Sequence, residues 1–484
     1  MKPDNSDLRF DITNSAHETL SQELAILLPT CAEEQDPGQN ISRHKTDLHI
    51  EGGRQLKGEI TLKTSKNAAV ALLCASLLNH GVTRFLEFPR IEEVFRIIEV
   101  LRSLGVRVEW TDNSTIEIRR PESLQLNNIN NRSAKATRSV LMLIGALMHE
   151  NDDFKIPCAG GCELGQRTVG PHVDALAEFG VHVSRKGNVY RVAVDKRSPG
   201  EVTLHEAGNT VTNNILLAAA RTPEETVIQA ASADYMVQDL CFFLQGLGVD
   251  IEGIGTPLLR IKGLNRIEKG IAYAATEDPI EAMFFIAVAV TTNSEITIRR
   301  LPFRWISLEL LKLKKMGLRY TIARTFKASN GHIDLADLIV HRHEGSLKAL
   351  PDKIHPNLWP GINPDSLPYF VPIAAVAEGH TFIHDWMFEG RAVHFREMAK
   401  LGVDIELADS HRLYVRGPTK FHKPEGELVC PPALRPASVL LIGLLAASGV
   451  SVMRNVYTIH RGYEDIAARL SSLGARVREI SDNE

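Results

Sequence analysis

The sequence predicts an α/β fold of repeated units, with buried inner helices wrapped by sheets and outer helices. Two observations carry this expectation. A run of the form apolar-x-x-apolar-Gly-apolar recurs six times, at Gly105, Gly180, Gly248, Gly317, Gly402 and Gly474. The copies lie roughly 70–85 residues apart, too far for a solenoid and right for a whole supersecondary unit. Each glycine sits where a helix needs a left-handed cap before the chain turns into a strand. Each unit also opens with an apolar helix rich in small residues, followed by a β-branched strand. Six such units divide most simply into two domains of three.

Taken in order, residues 1–45 stand outside the pattern. Glu18 to Leu28 has the spacing of a short amphipathic helix, and Glu33 to Asn40, with Pro37-Gly38, reads as a polar linker. The inner helices are expected to begin near Asn67, Thr137, Asn209, Pro279, Asp365 and Arg435. They are apolar nearly all round, which predicts full burial. The stretches Glu92 to Leu104 and Asp465 to Leu473 are amphipathic and belong outside, against sheets. Leu347 to Pro364 carries four prolines, which exclude a helix or central strand and point to an ordered loop beside a cleft. Ser438 to Val452, the most apolar stretch, is too short for a bilayer span and reads as a buried helix leading into a strand.

A chain of 484 residues with 44% hydrophobic and 24% charged residues is expected to be soluble, globular and multidomain. The net charge of −4 argues against a general nucleic-acid surface. Six scattered cysteines, and no basic-then-apolar leader at Met1, favour a reducing cytoplasm.

Local sequence offers three places for chemistry. Pro157 to Arg167 holds Gly160-Gly161-Cys162, and Arg167 is placed to lower the thiol's pKa. Such a thiol can serve as acid or nucleophile, or be a chance cysteine in a surface turn. A metal site on Cys158 and Cys162 lacks a second Cys/His pair at finger-like spacing. His341-Arg342-His343-Glu344 reads as a solvated strand end.

Basic residues at repeat junctions are the second clue. Lys66, Arg138 and Arg435 precede or begin inner helices, and Arg461 is expected to open the last amphipathic helix. A cation at a helix start opposes the helix dipole, a penalty that a bound anion reverses. Any one alone would be a solvated helix end; four at repeat junctions point to a shared anion site between the domains. Third, Asp365 starts the fifth inner helix, either as its N-cap or as a carboxylate poised to take a hydroxyl proton.

Together these residues resemble the enolpyruvyl transferases, and among them those acting on UDP-N-acetylglucosamine in peptidoglycan synthesis. The likeness covers about residues 46–484. It rests on Leu56-Lys57-Gly58-Glu59-Ile60, Ser65-Lys66-Asn67-Ala68-Ala69, the Gly160-Gly161-Cys162 loop with Gly165 and Arg167, Asn363-Pro364-Asp365, and Arg461-Gly462-Tyr463-Glu464. The shikimate-pathway relatives lack the loop cysteine.

The resemblance implies two inside-out α/β domains, each of three βαβαββ repeats, with the active site in the cleft between them. Residues 46–65 plus 278–484 would form one domain and 66–277 the other. It implies transfer of the enolpyruvyl group of phosphoenolpyruvate to a sugar hydroxyl, with loss of phosphate, through a tetrahedral ketal and without metal or organic cofactor. Cys162 would protonate the methylene carbon and Asp365 would accept the hydroxyl proton, with Lys66 also in the catalytic set. Arg138, Arg167, Arg435 and Arg461, with Lys66, would hold phosphate and carboxylate. Asn67, Ala207 and Gly208 would meet the acceptor, a nucleotide or sugar nucleotide.

The chain departs from the family on the acceptor side. Gly170 stands where an aspartate meets the uracil, Leu204 where a lysine lies near the diphosphate, Ala433 for an aspartate, and Gly390-Arg391 for an Asn-Arg pair. These departures leave two alternatives open: a related enzyme using another nucleotide acceptor, such as a uridine nucleotide, and a non-catalytic ligand-binding relative.

Overall fold

The computed structural model describes residues 46–158, 169–426 and 428–481. Cys162, Arg167 and the N-terminal helix and linker expectations therefore lie outside the described residues. The six repeat glycines all adopt left-handed backbone, with φ between 74° at Gly180 and 104° at Gly248. Only glycine reaches that region without strain, which is why the pattern marks every helix-to-strand turn.

The inner helices are present and buried. The clearest, Pro279–Thr291, has every residue buried, and Asp278 caps it by accepting from the Ile280 and Glu281 amides. Lys66–Ala75, Asn209–Ala219 and Leu434–Ala446 are continuous. The second and fifth instead open as 3-10 turns, Arg138–Met142 before Leu143–Leu147 and Leu367–Tyr369 before Phe370–Val376. Pro368 and Pro372 explain the fifth, since neither has an N–H for the α-helical ladder. In the second, the Asn214 side chain intercepts a backbone bond. Its Nδ2 donates to the Leu141 carbonyl at 3.0 Å, and its Oδ1 accepts from the Gly145 amide at 2.8 Å.

Six sheets surround these helices. Three take their strands from residues 46–61 and 295–481, the other three from residues 83–274. The chain passes between the two sets twice, and the two crossings lie side by side. The Ser65 amide donates to the Thr276 carbonyl at 2.8 Å, the Asp278 amide to the Lys63 carbonyl at 2.9 Å, and Thr64 pairs with Glu277 in an isolated antiparallel bridge. Each crossing leads into an inner helix. The flanking strands pair parallel, Lys57–Thr61 with Glu295–Leu301 and Thr83–Leu86 with Ile271–Ala274.

The proline-rich segment opens with a two-residue edge strand, Leu347–Lys348, and runs from there to Pro364 without a helix or central strand, as expected. Trp359 packs on Trp305, and Asn363 reaches Asp234 across the two sheet sets. Leu434–Ala446 leads into the strand Gly449–Met453, as the apolar stretch suggested. Among the described residues no helix is long and apolar enough to cross a membrane.

Candidate active site

Asp365 lies between two guanidinium groups. Arg435 Nη2 donates to its Oδ2 at 3.1 Å and Arg391 Nη1 to its Oδ1 at 3.3 Å. The N-cap reading is therefore corrected: Ser366 occupies the cap position of the following turn, without a side-chain cap bond. Two cations outcompete a backbone amide for the carboxylate because charge-assisted bonds are the stronger ones. Burial alone would raise the Asp365 pKa, but Arg435, Arg391 and Lys66 outweigh it and hold the carboxyl well below its usual range.

Arg435 stands in the first turn of Leu434–Ala446, where Ala433 supplies no side-chain cap. Its Nη1 also donates to the hydroxyls of Tyr369 and Tyr463, each at 3.3 Å. The charge of Asp278, at the cap of the neighbouring inner helix, also bears on Arg435.

Lys66 begins Lys66–Ala75, behind Ser65, whose hydroxyl accepts from the Ala68 amide. Desolvation lowers its pKa; Glu93 and Asp365 oppose that, and Arg435 and Arg461 add to it. Four of the residues singled out from sequence, Lys66, Asp365, Arg435 and Arg461, thus share one electrostatic neighbourhood.

Arg461 differs from expectation in its local position. It follows the short helix Tyr457–His460 as its C-terminal cap residue and does not open the last amphipathic helix, which starts at Ile466. A cation at a helix C-terminus is favoured by the dipole, so no anion is needed to explain it locally. Its guanidinium donates to Glu93 Oε2 from Nη2 at 2.9 Å and from Nε at 3.3 Å. Glu93 also accepts from the Thr137 hydroxyl. Burial raises the Glu93 pKa, yet Lys66 and Arg461 prevail and keep it ionised.

Arg138 starts the second inner helix beside His172 and Tyr190, whose titration feels its charge. His172 is buried, its Nδ1 3.1 Å from Asn214 Nδ2 and its Nε2 3.3 Å from Thr210 Oγ1. Burial, and then Arg138, push its pKa down to about 4, so it is neutral at pH 7.

On the acceptor side, Asn67 is half-buried in the first turn of its helix, and Gly208 caps Asn209–Ala219 in extended backbone at φ −79°. The Gly208 amide donates to the Glu206 carbonyl at 2.8 Å, closing the turn that holds Ala207. Leu204 is core, 3% exposed, with its amide on the Gln229 carbonyl. Asp234 accepts from Asn209 Nδ2 at 3.0 Å and from Asn363 Nδ2 at 3.2 Å. This contact ties the start of the third inner helix to the loop that carries Asp365.

Sequence reasoning missed Glu93, Asp234, Asp385 and the role of Arg391. A signal existed for Glu93: it lies on the buried face of an amphipathic helix, where an unpaired carboxylate is costly.

In chemical terms, Lys66 and Arg435 at helix starts, with Arg461 near them and Asp365 pinned between two guanidinium groups, suit an anionic substrate and a proton transfer. The family model described as EPSP synthase (3-phosphoshikimate 1-carboxyvinyltransferase) matches residues 50–470. The UDP-N-acetylglucosamine 1-carboxyvinyltransferase of Gloeobacter violaceus is 31% identical over 432 residues, covering 89% of this chain and 90% of that protein. Its counterpart in Coprothermobacter proteolyticus is 30% identical over 439 residues, covering 90% and 98%. Among solved structures, the enolpyruvyl transferase NikO from Streptomyces tendae superposes with a TM-score of 0.77 at 23% identity, covering 90% of this chain and 99% of that one. EPSP synthase from Acinetobacter baumannii gives 0.67 at 19% identity, covering 90% and 100%. The fold is that of these enzymes, and the chain belongs to the EPSP synthase family of enolpyruvyl transferases.

Proposed function

We propose that this enzyme transfers the enolpyruvyl group of phosphoenolpyruvate to a hydroxyl of UDP-N-acetylglucosamine and releases phosphate. The observation that carries the reading is the clustering of Asp365, Arg435, Arg461 and Lys66 around one locus, against relatives named for that acceptor. Phosphoenolpyruvate brings a phosphate and a carboxylate, and this reading assigns their neutralisation to Lys66, Arg435 and Arg461, with Arg138 and, by the resemblance, Arg167. As those anions draw on Arg435, its hold on Asp365 weakens and the carboxylate becomes a better base.

In the addition step the acceptor hydroxyl gives its proton to Asp365, its oxygen bonds to C2, and C3 takes a proton from Cys162. In the elimination step C3 gives a proton back to the Cys162 thiolate, and phosphate leaves with the C–O electron pair, carrying off the proton held by Asp365. This restores the double bond and both side chains. Domain closure, of 46–65 plus 278–484 against 66–277, would exclude water and fix the geometry. Fosfomycin, an epoxide that alkylates the family's loop cysteine, tests Cys162: an unchanged intact-protein mass, with nucleotide present, contradicts its role.

A second reading is favoured by Leu204. A core leucine where the family places a diphosphate-side lysine suits an acceptor other than a sugar diphosphate, such as a uridine monophosphate. Phosphate release from phosphoenolpyruvate, measured with UDP-N-acetylglucosamine, uridine nucleotides and shikimate 3-phosphate in parallel, separates these readings. Release with UDP-N-acetylglucosamine supports the first, and release only with a uridine nucleotide the second. No release with any of them, from folded protein, overturns both and leaves a ligand-binding relative.

A further inference from the structure

We infer that Asp385 is a positioning residue that acts through Arg391 to hold Asp365 in its working orientation; this rests on the reading of Asp365 as the base. Arg391 is 1% exposed and Asp385 fully buried. Arg391 meets Asp385 side-on, Nε to Oδ2 at 2.5 Å and Nη2 to Oδ1 at 3.0 Å. Nη2 also donates to the Pro364 carbonyl at 2.7 Å, and Nη1 reaches Asp365 at 3.3 Å. The Phe388 ring covers the guanidinium plane at 4.0 Å. Four of the five N–H donors are thus directed, two by Asp385, one by the backbone beside Asp365 and one by Asp365 itself.

Asp385 is anchored in turn. It follows the strand Ala377–His384, its amide donates to the His411 carbonyl at 2.7 Å, and His411 Nδ1 lies 2.9 Å from the Asp385 carbonyl oxygen. The two cations on Asp365 therefore differ in kind. Arg435 is otherwise bonded to two tyrosine hydroxyls, neutral partners that an incoming anion can outcompete. Arg391 has a buried carboxylate of its own and stays. When substrate takes Arg435, the Arg391 bond keeps one Asp365 oxygen fixed and the other aimed at the acceptor.

The test compares Asp385→Asn, Asp385→Glu, Arg391→Gln and the Asp385→Asn/Arg391→Gln double variant. It uses whichever acceptor of the panel above supports phosphate release, with melting curves and crystal structures of the Asp385 variants. Asp385→Asn is expected to lower kcat by about 100-fold, the cost of a misplaced catalytic group. KM for phosphoenolpyruvate should hold within about threefold, and the double variant should be no worse than Arg391→Gln. Multiplicative losses in the double variant, or normal kcat in Asp385→Asn, would overturn the proposal. Should Asp385→Asn not fold, Asp385→Glu decides: kcat should follow whether its crystal structure keeps Arg391 on Asp365. Full kcat with Arg391 displaced, or lost kcat with Arg391 in place, would also overturn it. Asp365→Asn, measured alongside, separates the readings, because turnover retained there removes the base and not the Asp385 contact.

Discussion

Arg435 and Asp365, 70 residues apart in sequence, meet through a charge-assisted bond of 3.1 Å. Each limits the other while the pair is intact. Asp365 is a poor proton acceptor beside a guanidinium, and Arg435 is only partly available to an anion. On the proposed reading, an anion that recruits Arg435 would relieve both at once by freeing Asp365 as the base. On that reading the pair would couple occupancy of the anion site to readiness for proton transfer.

Asp365→Asn is nearly isosteric and removes the base while keeping a hydrogen-bond acceptor for Arg435. It should lower kcat by about 10²- to 10⁴-fold, the range of general-base catalysis, with KM for phosphoenolpyruvate little changed. Steady-state phosphate release measures this. Turnover within tenfold of the parent enzyme would exclude Asp365 as the base.

Arg461→Ala should weaken phosphoenolpyruvate binding. A lost hydrogen bond between charged groups corresponds to about 10- to 150-fold in KM. Glu93 keeps the Thr137 hydroxyl and the charge of Lys66, so the fold should tolerate the change. The Tm is expected to fall by only a few degrees, each degree corresponding to about 1 kcal/mol in a chain of this size. Unfolding of the variant at room temperature would make Arg461 structural.

The repeat glycines and inner helices were readable from the chain because their causes are local: a left-handed turn admits glycine, and an all-apolar helix has to be buried. The pairing of the cations was not, because it is set by distant residues. Asp365 looked like a cap until Arg391 and Arg435 arrived from 26 and 70 residues away. Arg391 had been visible only as part of a Gly-Arg departure; its burial on Asp385 is a property of the assembled sheet. The broken start of the second inner helix is likewise the work of Asn214, from the third.

That helix contact makes a stability prediction. A Cβ on Gly145 would sit 2.1 Å from the Asn214 carbonyl oxygen and 2.7 Å from its Oδ1. Both atoms belong to a buried helix held on its far side, so neither can retreat cheaply. Gly145→Ala should lose about 1–3 kcal/mol in spite of alanine's better helix propensity, read from urea unfolding. A stabilised variant would mean that the two inner helices separate freely.

Glu277, in the second crossing segment, should make the pair of crossings sensitive to pH. It is 1% exposed; Arg300 Nε donates to its Oε1 at 2.9 Å, and its Oε2 has no hydrogen-bond partner among the described residues. Burial raises its pKa to about 7 from 4.5, with Glu87 adding and Arg300 opposing. A carboxyl whose folded pKa is raised contributes stability that is fully present below the unfolded value. That stability is lost as pH climbs through the folded value. The loss here falls between about pH 4.5 and 7 and amounts to about 3 kcal/mol. Glu277→Gln cannot titrate, so the stability of the parent protein relative to this variant should decline by that amount from pH 4.5 to 8. Unfolding curves of both proteins across that range measure it, and charges elsewhere cancel in the difference. A gap that stays constant with pH would mean that Glu277 remains ionised throughout, held by Arg300. A declining gap would show that the crossings loosen as Glu277 ionises, where the chain passes between its two sets of sheets.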